Sequence, residues 1–224
     1  SSRNNLWHSI FICYVGLLMN AEVKPIFNVP IISINLDGLS DQLGLENIIR
    51  DEIENNPNAH SPEHIYQSYP YLHEKESVAL LVNSIRENVR TVSEQVYQYK
   101  PDYEIDITAM WANVQKPGKS FKRHVHRNNI FSGVFYANGG KDLPPIQFFN
   151  SLEPQFAPAT VKSNSFNSGI WTEDCQKDTL LIFPAWLNHQ VGNNKSDRDR
   201  LSISFNVMLR GRFGQITNLQ SVVL

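Results

Sequence analysis

The spacing of apolar residues changes at Asp102, from the three- and four-residue steps of a helix to the alternation of a strand. Beyond it lie short segments rich in β-branched and aromatic residues, separated by clusters of Gly, Pro, Asn and Asp. They are YEIDITAMWANVQ, SGVFYAN, PIQFFN, TLLIFPAW, HQVGNN and RLSISFNVML. Many short strands behind two N-terminal helices are typical of a double-sheet jelly roll, so we expect a mainly β fold with supporting helices.

The part of the chain before this change contains the predicted helices. Residues 74–99 carry one apolar stripe, which predicts a helix packed on the outside of a sheet. Residues 39–54 predict a second helix, and residues 23–36 an extended edge strand or arm. Residues 55–70 and 151–178 read as loops, and we expect these two to decide the substrate. The stripe of the longer helix consists of Val78, Leu81, Val82, Ile85, Val89, Val92 and Val96.

The composition limits the class of protein. A chain of 224 residues with a formal net charge of −2 suits one globular domain with a full core. Nucleic acid is not indicated as a partner, because dedicated binders usually carry a basic excess. No membrane span is expected, since the apolar run at residues 6–19 is shorter than the roughly twenty residues required. Two cysteines, Cys13 and Cys175, make no disulfide framework, so we expect a cytoplasmic protein.

Residues 1–18 are expected to lie outside the fold. The apolar run could be a signal-peptide core behind Arg3, but the preceding segment is weakly basic and an A-x-A-like cleavage site is missing. Met19 reads as the natural start. The domain is therefore expected to span residues 19–224, with helical support at about 39–100 and a jelly-roll core at about 103–210.

Three histidines in the strand-rich half are candidate metal ligands. His124 and His126 lie two residues apart, and on a strand such side chains point to the same face. A lone His-x-His pair is a weak signal, and by itself it is more typical of solvated or core histidines. The third, His189, lies between Leu187 and Val191 on an apolar strand, where a polar ring needs a partner. Because neutral imidazole is the commonest protein metal ligand, these residues predict a metal site.

The ordered pieces HVH, SGVFY, FPAWLNHQV and RLSISFN resemble the iron(II)- and 2-oxoglutarate-dependent oxygenases over about residues 110–207. The likeness is to the small bacterial and phage-type 2OG-Fe(II) oxygenases. It implies a double-stranded β-helix (jelly roll, cupin-like) core, with Fe(II), 2-oxoglutarate as co-substrate and dioxygen. The implied activity is a dioxygenase, and specifically a hydroxylase, that couples decarboxylation of 2-oxoglutarate to oxidation of another substrate.

The same resemblance assigns the residues that bind the co-substrate. Arg200, eleven residues after His189, stands where the family has the arginine for the distal carboxylate. Its planar fork matches a carboxylate, as a lysine ammonium does not. Ser202 would add a hydroxyl, Tyr136 a phenol, and Asn113 an amide. No catalytic residue beyond the metal ligands is implied.

One position departs from the family pattern. Most members have His-x-Asp or His-x-Glu, whereas here His126 stands in place of the carboxylate. Three-histidine iron centres exist among cupin-type dioxygenases. The alternative is that only one of His124 and His126 binds iron and that a carboxylate or water completes the set. Residues 125–135 contain no acidic residue, so a local carboxylate cannot serve.

Structural roles and a second function stay open at this level. Arg200 could be a solvated charge comparable to Arg198 and Arg210, and Tyr136 a core aromatic residue. The alternative function is a cupin-like metal- or ligand-binding module without oxygenase activity. A buried clamp for a dicarboxylate favours the oxygenase. The sequence leaves the substrate open among a peptide, a small molecule and a nucleobase, and it does not indicate an oligomeric state.

Overall fold

Two antiparallel sheets form the core of the computed structural model, which describes residues 24, 26–56, 65–152, 156, 158–214 and 220–224. The predicted mainly β jelly roll is confirmed. The larger sheet has the spatial order Ile32–Asn35 (β1), Thr179–Pro184 (β8), Phe131–Tyr136 (β5), Arg200–Arg210 (β10), Glu104–Gln115 (β3) and Ile65–Gln67 (β2). The smaller sheet has the order Phe121–His124 (β4), His189–Val191 (β9), Ile146–Phe149 (β6) and Ile170–Glu173 (β7). A two-stranded ribbon, Arg212–Phe213 (β11) with Val222–Val223 (β12), lies near the C-terminus.

The larger sheet is covered on both faces. Every residue of β5 and β8 is buried, which explains their continuous apolar sequences. One face packs against the helices in the main hydrophobic core. The other face packs against the smaller sheet in a second core, where Tyr136 and Phe183 meet Phe148 and Val191. The space for a site therefore lies between the two sheets.

Both predicted helices are shorter than the sequence indicates. The first divides into Leu39–Leu43 (α1) and Leu45–Glu54 (α2), because Gly44 adopts a left-handed backbone with φ 62°. The second is α-helical only over Ala79–Thr91 (α3). Two 3-10 turns, Leu72–Glu74 and Glu76–Val78, precede it, and a π-helical turn, Val92–Val96, follows. The wider π turn rotates Val96 off the apolar stripe, so the prediction that Val96 is buried is wrong.

Two predicted loops have different outcomes. The segment 151–178 contains a strand, β7, whose residues are mostly exposed and therefore show no apolar alternation. The predicted loop at 55–70 contains β2 and falls partly outside the described residues. Residues 1–18 also lie outside them. Within the described ranges, no helix has the length and apolar character needed to span a bilayer.

Candidate active site

Strands β4 and β9 bring two of the three histidines side by side. His124 ends β4 and lies directly opposite His189, the first residue of β9. Phe121 lies opposite Val191, so three steps along β4 oppose two steps along β9. This β-bulge allows Phe121 and His124, an odd number of residues apart, both to face the cavity between the sheets.

His126 lies beyond the end of β4, so the strand prediction holds for His124 but not for its partner. The backbone N–H of His126 donates to the carbonyl oxygen of Ala185 at 2.9 Å, which ties it to the turn before β9. The ring centroids are 4.9 Å apart for His124 and His126, 4.4 Å for His124 and His189, and 5.1 Å for His126 and His189. One nitrogen from each ring lies within 4.8 Å of the others, a group that could hold a metal ion.

Backbone carbonyls orient two of the rings. His124 Nδ1 lies 2.7 Å from the carbonyl oxygen of Lys122, and His189 Nδ1 lies 2.8 Å from that of Leu187. A carbonyl only accepts, so we assign the proton to Nδ1 in both rings, which leaves each Nε2 lone pair available to a metal. Burial lowers the pKa of His189 to about 3 and that of His126 to about 4. These two rings are neutral at pH 7, the form that binds metals.

Arg200 is buried at the other side of this cavity. It is 2% exposed, so the interpretation as a solvated charge is wrong for this residue. The guanidinium carbon lies 4.9 Å from the centre of the Tyr136 ring, and Nη1 lies 3.4 Å from Ser202 Oγ. Ser202 faces Tyr136 on one neighbouring strand and Asn113 on the other. The four predicted co-substrate residues therefore lie together between the sheets.

The buried guanidinium has no carboxylate partner within the described residues. The Nε of this guanidinium and the hydroxyl of the neighbouring Tyr136 are buried hydrogen-bond donors without an acceptor. Burial raises the pKa of Tyr136, partly offset by the charge of Arg200, so the phenol keeps its proton. A desolvated guanidinium beside an unused hydroxyl donor is an unfavourable arrangement unless an anion binds next to them. The residues present therefore fit the far carboxylate of a dicarboxylic acid.

The two other arginines that resemble Arg200 in the sequence are surface residues. Arg198 forms a two-pronged ion pair with Asp142, and Arg210 pairs with Asp106. Both pairs are exposed to solvent. Of the three arginines, only Arg200 reaches the cavity.

The amide of Asn113 is already engaged. Its Oδ1 accepts from Gln67 Nε2 at 2.9 Å and from Trp111 Nε1 at 3.1 Å, and its Nδ2 donates to Ser204 Oγ at 3.0 Å. Gln67 and Trp111 also line the cavity, and the Trp111 ring centroid lies 5.9 Å from that of His126. Sequence reasoning missed both. Trp111 could have been found, because it lies two residues before Asn113 on one strand face, whereas Gln67 comes from a distant edge strand.

One family model matches this chain over residues 109–206, and its description is "Putative 2OG-Fe(II) oxygenase". The matched region contains the three histidines, Arg200 and the other residues predicted for the co-substrate. Among curated proteins, none matches the sequence.

Several solved structures have a similar fold at low sequence identity. The α-ketoglutarate-dependent epimerase SnoN from nogalamycin biosynthesis has a TM-score of 0.60 and 11% identity, with 84% of this chain and 82% of that chain covered. A prolyl-4-hydroxylase from Pseudomonas putida has a TM-score of 0.56 and 14% identity, with 82% and 95% covered. A prolyl hydroxylase from Trichoplax adhaerens, in complex with a hypoxia inducible factor peptide, has a TM-score of 0.57 and 13% identity, with 80% and 83% covered. These likenesses establish a shared fold.

Proposed function

We propose that this chain is a 2OG-Fe(II) oxygenase, a proposal supported by the family match over residues 109–206, and that His124, His126 and His189 hold the Fe(II) while Arg200 holds 2-oxoglutarate. One observation carries the proposal. A desolvated arginine with no carboxylate partner in the described chain lines the same cavity as three converging imidazoles. A plain metal-binding module has no use for that arginine, so the oxygenase is favoured over the cupin-like alternative.

Each residue would have a distinct task. The Nε2 atoms of His124 and His189 would bind the metal while their Nδ1 protons stay on backbone carbonyls. Arg200 would bind the distal carboxylate of 2-oxoglutarate through two parallel hydrogen bonds, with the hydroxyls of Ser202 and Tyr136 beside it. When bound, Fe(II) and 2-oxoglutarate with dioxygen supply an oxidant for a C–H bond, and 2-oxoglutarate leaves as succinate and carbon dioxide.

The three-imidazole set changes the charge balance of the site. With no carboxylate ligand, the protein contributes no negative charge to the metal, and Arg200 adds a further positive charge to the cavity. The dianionic co-substrate would be the main compensating charge. We therefore propose that 2-oxoglutarate strengthens Fe(II) binding, and that Fe(II) strengthens 2-oxoglutarate binding by the same factor.

In this proposal, Asn113 would hold two side chains of the cavity wall in place. Its amide fixes Gln67 and also Trp111, which lies next to His126, so it would reach the co-substrate only by giving up one of these bonds. The proposed reaction is hydroxylation of a small molecule or a peptide. SnoN and the prolyl hydroxylases of similar fold are named for chemistry on such compounds. The reducing cytosol suits a protein whose buried Cys175 thiol is unpaired.

The test is formation of succinate from 2-oxoglutarate in the presence of Fe(II) and dioxygen, screened for stimulation by metabolites and peptides. We expect stimulated succinate release from the wild-type protein and none from His189→Ala, since two remaining ligands make a poor iron site. A weak visible charge-transfer band should appear when Fe(II) and 2-oxoglutarate are added without oxygen. Metal binding with neither the band nor succinate would support the non-catalytic module.

A further inference from the structure

The side chain of Gln115 is held in one orientation beneath the predicted co-substrate site. It is fully buried, and its Nε2 donates to the carbonyl oxygens of Lys119 at 2.7 Å and Gly192 at 2.8 Å. Both amide hydrogens are used. A flipped amide would turn its oxygen towards two other oxygens, so the assignment of Nε2 and Oε1 is determined. The remaining atom, Oε1, is buried without a donor.

The residue directly opposite Gln115 carries the complementary unused group. Gln115 on β3 pairs with Arg200 on β10, and side chains of such pairs lie on the same sheet face with Cβ atoms about 4.5–5.5 Å apart. Arg200 Nε is a buried donor without an acceptor. One register pair therefore contains an orphaned acceptor and an orphaned donor. Leaving both groups without a hydrogen bond is costly, since a buried polar group without a partner typically costs about 1–3 kcal/mol.

Gln115 cannot serve the co-substrate directly. Its free atom is an oxygen that only accepts, and a carboxylate in the site would also present acceptors. The nearby donor suited to the carboxylate is the hydroxyl of Tyr136, which is likewise without a partner. Oε1 needs a donor other than the co-substrate, and the residue opposite Gln115, Arg200, carries an unused one at Nε.

Resting on the proposed function, we infer that Gln115 is a positioning residue whose Oε1 accepts the Nε–H of Arg200 when 2-oxoglutarate is bound. This bond fixes the rotation of the guanidinium and leaves its Nη1–Nη2 edge for the carboxylate. The two carbonyls that hold Nε2 come from the loop before β4 and the loop after β9, which lie at the same end of the smaller sheet. The orientation of Arg200 therefore depends on the turn at residues 116–120.

The test compares two ligands in each iron-loaded variant without oxygen. 2-Oxoglutarate has the distal carboxylate, and 2-oxobutyrate lacks it. Gln115→Met keeps the side-chain length but removes the Oε1 acceptor together with the two bonds donated by Nε2. We expect roughly tenfold weaker binding of 2-oxoglutarate, the value of one hydrogen bond to a charged group. The affinity for 2-oxobutyrate should be unchanged. Unchanged affinity for 2-oxoglutarate, or an equal loss for both ligands, would overturn the inference. Gln115→Asn, which shortens the same amide, is a second variant with the same expected order of effects.

A double-mutant cycle separates positioning from a merely structural role. Lysine has no Nε–H in the place of the guanidinium donor, so Gln115→Met should cause no further loss of 2-oxoglutarate affinity in an Arg200→Lys background. Additive losses would mean that Gln115 acts only by holding its turn. Asn194→Ala is the matched control, because Asn194 Nδ2 donates to the Gln115 carbonyl and holds that turn without using Oε1. If Arg200→Lys itself leaves 2-oxoglutarate binding unchanged, the arginine assignment of the proposed function fails instead.

Discussion

At the scale of single residues, position 126 departs from the ligand pattern of most 2OG-Fe(II) oxygenases. The ring of His126 lies 4.9 Å from that of His124 and 5.1 Å from that of His189, close enough for all three to share one ion. We predict that His126→Asp retains Fe(II), because a carboxylate restores the commoner ligand set. His126→Ala should bind Fe(II) more weakly than either. Titration of Fe(II) into the three proteins tests this, and loss of iron from the Asp variant would mean that the longer reach of imidazole is required.

Some residues of the candidate site could be predicted from the sequence, and others could not. The strand-like segments and the resemblance to the oxygenase pattern are enough to predict that His124, His189 and Arg200 line one cavity. Gln115 has no such signal. The orientation of its side chain is fixed by the backbone carbonyls of Lys119 and Gly192. Any residue type carries a backbone carbonyl, so such partners cannot be recognised from the sequence.

At the scale of elements, β5 contains a glycine whose place is fixed by packing. Gly133 lies opposite Phe205, and a Cβ at Gly133 would lie 2.2 Å from the Phe205 ring and 2.4 Å from the Leu181 carbonyl oxygen. We predict that Gly133→Ala lowers the free energy of unfolding by about 1–3 kcal/mol or more, as overpacking does. Gly192→Ala is the control, since nothing lies within 4 Å of its added Cβ. Denaturant unfolding measures both, and equal stability of the two variants would contradict the packing argument.

Element boundaries were the weaker part of the prediction. The residues of α3 follow their periodicity, because packing against one face selects it, whereas the long strand β10 is buried on both faces. The break at Gly44 and the π turn at Val92–Val96 depend on local backbone geometry that apolar spacing does not encode. Strand β7 was missed because it lies at the sheet edge and buries little.

At the scale of the whole molecule, one carboxylate joins the helical layer to the sheet. Asp178 accepts from the backbone N–H groups of Gly38 at 3.1 Å and Ser40 at 2.8 Å, which fixes the start of α1 against the turn before β8. We predict that Asp178→Ala lowers the free energy of unfolding by roughly 1.5–3 kcal/mol, the range for hydrogen bonds to a charged group. Asp174→Ala, at an exposed position of the same segment, should be nearly silent. A melting temperature unchanged by Asp178→Ala would contradict this role.

The same link predicts a pH dependence. Although burial opposes it, hydrogen bonds from Ser40 and Gly38 hold the pKa of Asp178 below its ordinary value. A depressed folded-state pKa gives stability that is present above the unfolded pKa, near 3.9, and is lost as the pH falls through the folded value. The stability difference between wild type and Asp178→Asn should therefore shrink below about pH 4. Ser40 and Asp178 are 138 residues apart in the chain, and a contact over that distance has no local sequence signal. The contacts between layers were therefore not predictable, although the fold class was.

The central claim, that this fold holds 2-oxoglutarate through Arg200 beside an iron bound by histidines, is tested most directly by one measurement. It is an oxygen-free optical titration of 2-oxoglutarate into the Fe(II)-loaded wild type and three variants. Truncating one partner of a buried charge pair typically costs about 2–5 kcal/mol, so Arg200→Ala should bind 2-oxoglutarate about thirty-fold to several thousand-fold more weakly. Arg200→Lys should recover part of the loss, and Arg198→Ala, whose ion pair with Asp142 is on the surface, should match wild type. Equal affinities for wild type and Arg200→Ala would contradict the account.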